Sequence, residues 1–308
     1  DGDMVLKVIL RCCLLCCSIR GSTAFTNPKK EATNTQIPAS CRLLILPGFG
    51  NDSEDYEMPN SLVSSLCARG WDRSQIHVLP VKRLDWFQVF LKGAFDIDFW
   101  RSEAPPTRPA FAWYLERVAD SINSVCEDEY IVLVGHSAGG WLARAAAGFG
   151  SVGEGGYYVD TTKILGIVTL GAPNLPPPPS VMDMTRGALR ITNERFPGTY
   201  HGPSTFYLTV VGSSVVGEKQ VRQTPFESTT VAGFAYESYG AVCGTGNTIG
   251  DGVVPVVSAH VDGSMQLTLD GVLHSIYASQ KWYGASEVLD QWHDIMLNEI
   301  GKKVGDQS

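Results

Sequence analysis

The chain has 308 residues, 44% of them hydrophobic and 18% charged, which suits one large α/β domain or such a domain with a cap inserted into it. A net charge of −8, with no basic run longer than a pair such as Lys29 and Lys30, argues against nucleic acid as a partner, because phosphate binding needs clustered Lys and Arg. Any peripheral contact with an anionic membrane would have to rest on apolar surface.

Asp1, Gly2 and Asp3 stand ahead of Met4, after which the pattern changes character. Lys7 and Arg11 bracket the apolar Val8, Ile9 and Leu10, a second apolar run from Cys12 to Cys17 comes next, and the small residues Gly21, Ser22, Thr23 and Ala24 follow Arg20. A charged start, a short apolar centre and a small-residue exit read as a secretory signal peptide over residues 1–24, with 1–3 an upstream extension. The stretch is shorter than the roughly 18 residues that a membrane span needs. The junction Ala24, Phe25 and the hydroxylated, basic Thr26, Asn27, Pro28, Lys29, Lys30 resemble the bipartite plastid presequence of diatoms and related algae, in which cleavage falls just before a phenylalanine. Residues 25–40 are then a transit-like or disordered segment. The expected destination is the plastid, with secretion or the endomembrane lumen as the alternative.

Cys12, Cys13, Cys16 and Cys17 would leave with the leader, and Cys41, Cys67, Cys126 and Cys243 lack the paired spacing of a zinc site or a dense disulfide frame. They read as buried small hydrophobes, with one bridge open to them in an oxidising compartment. No zinc spacing, phosphate-binding loop or dinucleotide fingerprint is present, so neither metal nor organic cofactor is expected.

Folding is expected from Cys41 to about residue 303. Residues 42–46 form a short buried strand, and Pro47, Gly48, Phe49 and Gly50 leave it as a loop. A helix capped by Asn60 or Ser61 is expected over 58–70 and a strand over 75–81, which together make a βαβ unit and imply a parallel sheet. Residues 84–100 are aromatic, with Trp86, Phe87, Phe90, Phe95, Phe99 and Trp100 among Asp85, Asp96 and Asp98, which suits either core packing or a wall for an acyl chain. Phe111, Tyr114, Leu115, Val118, Ile122 and Val125 share one helical face behind Pro109.

The next stretch organises the rest. Residues 130–134 are apolar and rich in β-branching, Gly135, His136, Ser137, Ala138 and Gly139 come after them, and then comes an alanine-rich helix former. Strand, sharp turn and helix with Gly-x-Ser-x-Gly between them is the nucleophile elbow, in which tiny flanking residues let strand and helix approach and the serine takes a strained backbone. Ser137 then projects at a helix N-terminus, where backbone N–H groups favour a developing oxyanion. The backbone N–H groups of Phe49 and Ala138 are the candidate oxyanion donors. A serine hydroxyl needs a base, and an imidazole base needs a carboxylate to fix its tautomer.

Further strands are expected over 163–170, 205–211 and 265–269, with a stiff proline run over 176–179 and an irregular excursion or small cap between 211 and 250. The closing helix covers 285–300. Acid and then base follow the serine in chain order on such a scaffold. His274 sits in a loop between the last strand and the last helix, whereas His201 and His260 come too early and His293 lies inside a helix. Asp251, in a Gly-Asp-Gly turn, is the candidate acid, with Asp262 and Asp270 in reserve.

These stretches together resemble a lipase-like α/β-hydrolase, similar to plant plastid hydrolases related to GPI inositol-deacylase and more distantly to lecithin:cholesterol acyltransferase-like lipases. The likeness rests on residues 46–53, Asp85 and Trp86, 99–101, 113–115, 135–144, 169–173, 185–187, 250–255 and 271–275. It implies a mostly parallel sheet with helices on both faces, a triad of Ser137, Asp251 and His274, and cleavage of a carboxylic ester through an acyl-enzyme. Transfer of that acyl group to an alcohol, or a ligand receptor built on the same fold, are the competing functions. The oligomeric state is not legible.

Overall fold

The computed structural model describes residues 37–221 and 229–305. The leader and most of the transit-like segment lie outside the described residues. Strands β1 (Cys41–Leu46), β2 (Ile76–Val78), β3 (Tyr130–His136), β4 (Ile164–Leu170), β5 (Phe206–Gly212), β6 (Val215–Val216), β7 (Ile249–Gly250) and β8 (Met265–Leu269) alternate with helices α1 (Leu62–Cys67), α2 (Phe87–Gly93), α3 (Ile97–Arg101), α4 (Pro109–Asn123), α5 (Ala138–Ser151), α6 (Ala188–Arg195), α7 (Val231–Cys243), α8 (Val256–Ala259) and α9 (Ser286–Gly305).

Six strands form one sheet in the order β2-β1-β3-β4-β5-β8, and every neighbouring pair is parallel. The inner strands are apolar on both faces because both faces are covered. Leu44, Leu46, Leu133 and Ile167 meet Phe111, Tyr114, Leu115 and Val118 of α4 on one side. Leu43, Ile45, Val132, Val134, Leu208 and Val210 meet Leu62 and Leu66 of α1 and Leu289, Trp292 and Met296 of α9 on the other. Each such side chain contributes about 1.5–3 kcal/mol by leaving water.

Parallel pairing puts all the C-terminal strand ends on one edge. The chain leaves β1 towards β2 on one side and returns to β3 on the other, so a crevice opens at that edge between β1 and β3. The loops that leave β1, β3, β5 and β8 all emerge at that edge.

Three expectations change. The helix expected over 58–70 is only Leu62–Cys67, because Asn60 takes a left-handed φ of 61° and Ser61 stays extended as its N-cap. The excursion between 211 and 250 is regular where it is described: β6 pairs antiparallel with β7, and α7 packs on β6 through Ala235 and Tyr239. Of the four cysteines among the described residues only Cys41 is buried; Cys67 and Cys243 are half-buried, Cys126 is exposed, and all four are free thiols.

β4 carries a register shift, with Ile131 opposite Ile164 but Val132 opposite Gly166, so that Leu165 is left over. A Cβ on Gly166 would lie 2.2 Å from the Phe206 ring. Gly166→Ala is therefore expected to cost about 1–3 kcal/mol through overpacking, and Phe206→Leu in the same chain should return part of it. Urea unfolding of the two single variants and the double variant checks this; a Gly166→Ala chain as stable as the parent would refute it.

Candidate active site

The turn between β3 and α5 is forced into close contact. Ser137 has φ 52° and ψ −127°, a conformation that an L-residue holds only under constraint. A Cβ on Gly135 would stand 2.5 Å from the backbone of Gly139 and Gly140, one on Gly139 2.2 Å from the Leu46 carbonyl, and one on Gly48 2.7 Å from the Ser137 Cβ. The serine is half-buried at the N-terminal end of α5.

His274, in the loop beyond β8, directs Nε2 at the Ser137 Oγ at 3.0 Å and Nδ1 at Asp251 Oδ2 at 2.8 Å. The carboxylate can only accept, so Nδ1 carries the proton and Nε2 is free to take one from the hydroxyl. Asp251 follows β7 directly. Its Oδ1 accepts the amides of Val253 and Val254 at 3.0 and 2.7 Å, and its Oδ2 also accepts the Tyr283 hydroxyl at 2.6 Å. Burial alone would raise its pKa, but the His274 charge and hydrogen bond, the Tyr283 hydroxyl and the Val254 amide hold it below the ordinary carboxylate value. An ionised acid, an oriented imidazole and a hydroxyl in one line can deprotonate that hydroxyl as it attacks a carbonyl.

The Pro47–Phe49 side of the crevice is clamped at several points. The Tyr114 hydroxyl donates to the Pro47 carbonyl at 2.8 Å, the Gly48 amide donates to the Tyr56 hydroxyl at 3.0 Å, and Trp86 Nε1 donates to the Asn51 carbonyl at 3.2 Å. Phe49 rests against Trp86 with ring centres 5.0 Å apart. Among the described residues, neither the Phe49 nor the Ala138 amide finds an acceptor, which leaves both free for an oxyanion beside Ser137. His136, between Gly135 and Ser137, is buried. Its Nε2 faces the His274 carbonyl at 3.0 Å and its Nδ1 the Tyr56 hydroxyl at 2.8 Å.

The structure thus brings Ser137, Asp251 and His274 together and sets Phe49 and Ala138 beside the serine. Asp262 and Asp270 are exposed. His260 lies between the hydroxyls of Thr209 and Thr268, and His293 accepts from Trp71 Nε1. Sequence reasoning missed Tyr283, Tyr56, Tyr239 and the role of His136. Tyr239 bridges the Val215 carbonyl and the Gly252 amide, so α7 holds the acid turn in place. Tyrosines that bond from one loop to another leave no local signal; only His136 was visible, inside the elbow itself.

The profile of the alpha/beta hydrolase family matches residues 43–272, and the chain belongs to that family and has its fold. No curated protein sequence matches. Among solved structures the chain is similar to Bacillus licheniformis lipase BlEst2 in mature form, at 14% identity and a TM-score of 0.47, covering 87% of this chain and 96% of that one. It is similar to the RedJ thioesterase of the prodiginine pathway of Streptomyces coelicolor, at 15% and 0.35, covering 88% and 97%. A third is phospholipase PlaB of Legionella pneumophila in complex with thio-NAD, at 15% and 0.38, covering 71% and 44%. At these values the similarities say nothing about chemistry.

Burial, and then the nearby His274, push His136 from an ordinary 6.5 down to about 3. The unfolded chain therefore binds a proton below 6.5 that the native chain refuses, so this residue makes stability fall as the pH drops from 6.5 towards 3, by about 1.4 kcal/mol per unit. Between pH 6.5 and 5 the parent should lose about 2 kcal/mol more than His136→Gln. Urea unfolding at both pH values reads the difference, and equal slopes would refute it.

Proposed function

We propose that the chain is a serine hydrolase that cleaves a carboxylic ester of an apolar, lipid-like substrate. The observation that carries the reading is the hydrogen-bonded line from Ser137 Oγ through the His274 ring to the buried Asp251 carboxylate. Ser137 Oγ attacks the ester carbonyl while His274 Nε2 takes its proton, and the oxyanion is met by the Phe49 and Ala138 amides. The imidazolium returns the proton to the leaving alcohol, and water, activated by the same imidazole, releases the acid from the acyl-enzyme. An amide donor of this kind is worth about 10²–10³ in rate.

The apolar preference is supported by the rim beside the Phe49 loop. Trp86, Val89 and Phe99 are buried under α2 and α3, but Leu84, Phe87, Leu91, Phe95, Ile97 and Trp100 are exposed, Phe95 at 94%. That much apolar area next to a reactive crevice suits an acyl chain or the lipid surface that presents one. The plastid reading of the leader points to glycerolipid, galactolipid or pigment esters, in keeping with the likeness to plastid hydrolases. The intact line of three residues disfavours a purely ligand-binding role, and nothing in the site favours an alcohol over water as acceptor.

A fluorophosphonate probe is expected to add once to the purified parent and not to Ser137→Ala or His274→Ala, read by intact mass. Turnover of lipid and short synthetic esters should fall by about 10⁴ or more in both variants. A parent that takes no adduct and turns over no ester sinks the reading.

A further inference from the structure

We propose that His136, held by Tyr56, is a positioning residue that ties the oxyanion loop to the loop of the base. This rests on the serine-hydrolase reading and names a further part of that same site.

The connection is one unbroken chain of hydrogen bonds. The Gly48 amide donates to the Tyr56 hydroxyl at 3.0 Å, the hydroxyl sits 2.8 Å from His136 Nδ1, and His136 Nε2 sits 3.0 Å from the His274 carbonyl. A carbonyl only accepts, so Nε2 carries the ring proton. Nδ1 then has a lone pair, and the tyrosine must donate to it while its oxygen accepts from Gly48. Every proton in the chain has one place to go, which fixes the His136 tautomer and the direction of all three bonds.

The ends of the chain are what give it consequence. Gly48 directly precedes Phe49, whose amide is a candidate oxyanion donor, and a Cβ on Gly48 would stand 2.7 Å from the Ser137 Cβ. The other end holds the main chain of His274 itself, whose amide is also tied to the Asp251 carbonyl at 3.0 Å. His136 lies between them on the strand that leads into Ser137, so donor loop, nucleophile and base are referenced to one buried ring.

Only a neutral ring suits this position. His136 and His274 have ring centres 4.9 Å apart at 37°, so a charge on His136 would oppose the imidazolium that forms on His274 during proton transfer. Burial keeps His136 neutral across the working range. Tyr56 is fully buried and its hydroxyl pushed well up by that burial, so it too stays neutral and keeps its proton for the ring. Tyr56 also packs edge-on against the His136 and Trp282 rings, which leaves the connection little freedom to drift. Displacements near 1 Å in such a frame cost about 10²-fold in rate.

The test compares the full chain with Tyr56→Phe, His136→Leu, the double variant and His136→Gln, using an ester that the parent turns over and the rate of fluorophosphonate addition to Ser137. Thermal unfolding confirms that each is folded at the assay temperature. Tyr56→Phe and His136→Leu are each expected to lower kcat tenfold or more with KM within twofold. The double variant should fall no further than the worse single, because both break one connection. His136→Gln can still donate near the Nε2 position and should turn over several-fold faster than His136→Leu. Folded Tyr56→Phe and His136→Leu chains with kcat within twofold of the parent would overturn the proposal, as would a loss confined to KM. Should His136→Leu not fold, Tyr56→Phe against His136→Gln decides by the same kcat criterion. A parent that neither reacts with the probe nor cleaves any ester refutes the hydrolase reading instead. In that case the ring ¹⁵N shifts of His136 still report the connection, with the Nε2–H form expected in the parent and a mixture in Tyr56→Phe; a mixture already in the parent would overturn it.

Discussion

Ser137 holds a backbone conformation worth about 1–3 kcal/mol of strain, and much of the architecture exists to keep it there. The strand must end and the helix begin without a linker, so Gly135, Gly139 and Gly140 stand where any Cβ would strike backbone or the Ala172 methyl. Alanine and glycine fill most of that helix, with Trp141, Leu142, Arg144 and Phe149 as the large side chains among them. Residues 139–150 of α5 are accordingly buried on every side. A helix without a solvent face needs cover, which α4 and α6 supply from one side of the sheet while α1 and α9 close the other.

The second constraint is charge in a dry place. Asp251 is a buried carboxylate, and an isolated one would be expensive. Two amides, one imidazole and one tyrosine hydroxyl satisfy it, and the Tyr283 hydroxyl in turn accepts the Gly212 amide at 2.9 Å, tying the acid to the end of β5. Several other buried groups of the site and its supports are kept neutral: burial raises Tyr56, Tyr114 and Tyr283 and lowers His136. The anion's field is thus directed mainly at His274, the one group able to return it as stabilisation of a cation.

Much of this was legible because the elbow is a local pattern: strand, turn and helix are contiguous, and the glycines there are steric requirements. The loop holding His274 was legible by its place between the last strand and the last helix. Asp251 was harder. The stretch from Val211 to Asp251 reads as irregular by its density of Gly, Ser and Thr, yet Tyr239 and the β6–β7 pairing turn it into a support for the acid. The helix over 58–70 was overextended because the left-handed turn at Asn60 is set by a contact outside the helix, where the Ser61 hydroxyl bonds back to the Tyr56 carbonyl. Tyr56 and Tyr283 were invisible, since their partners His136 and Asp251 lie 80 and 32 residues away and periodicity carries no such information.

The parallel order of the sheet has a kinetic side. Ser137 and His274 are separated by 137 residues, and no two neighbouring strands of the large sheet are joined by a hairpin. Long loops must close before such pairings return any free energy, which makes the topology slow to form. The line from Ser137 to Asp251 in turn requires β8 docked on β5, because the loop that leaves β8 carries His274 to the elbow. A chain that ends before β8 has Ser137 and the elbow around it but lacks His274, so the hydrogen-bonded line between them exists only once the whole domain has closed.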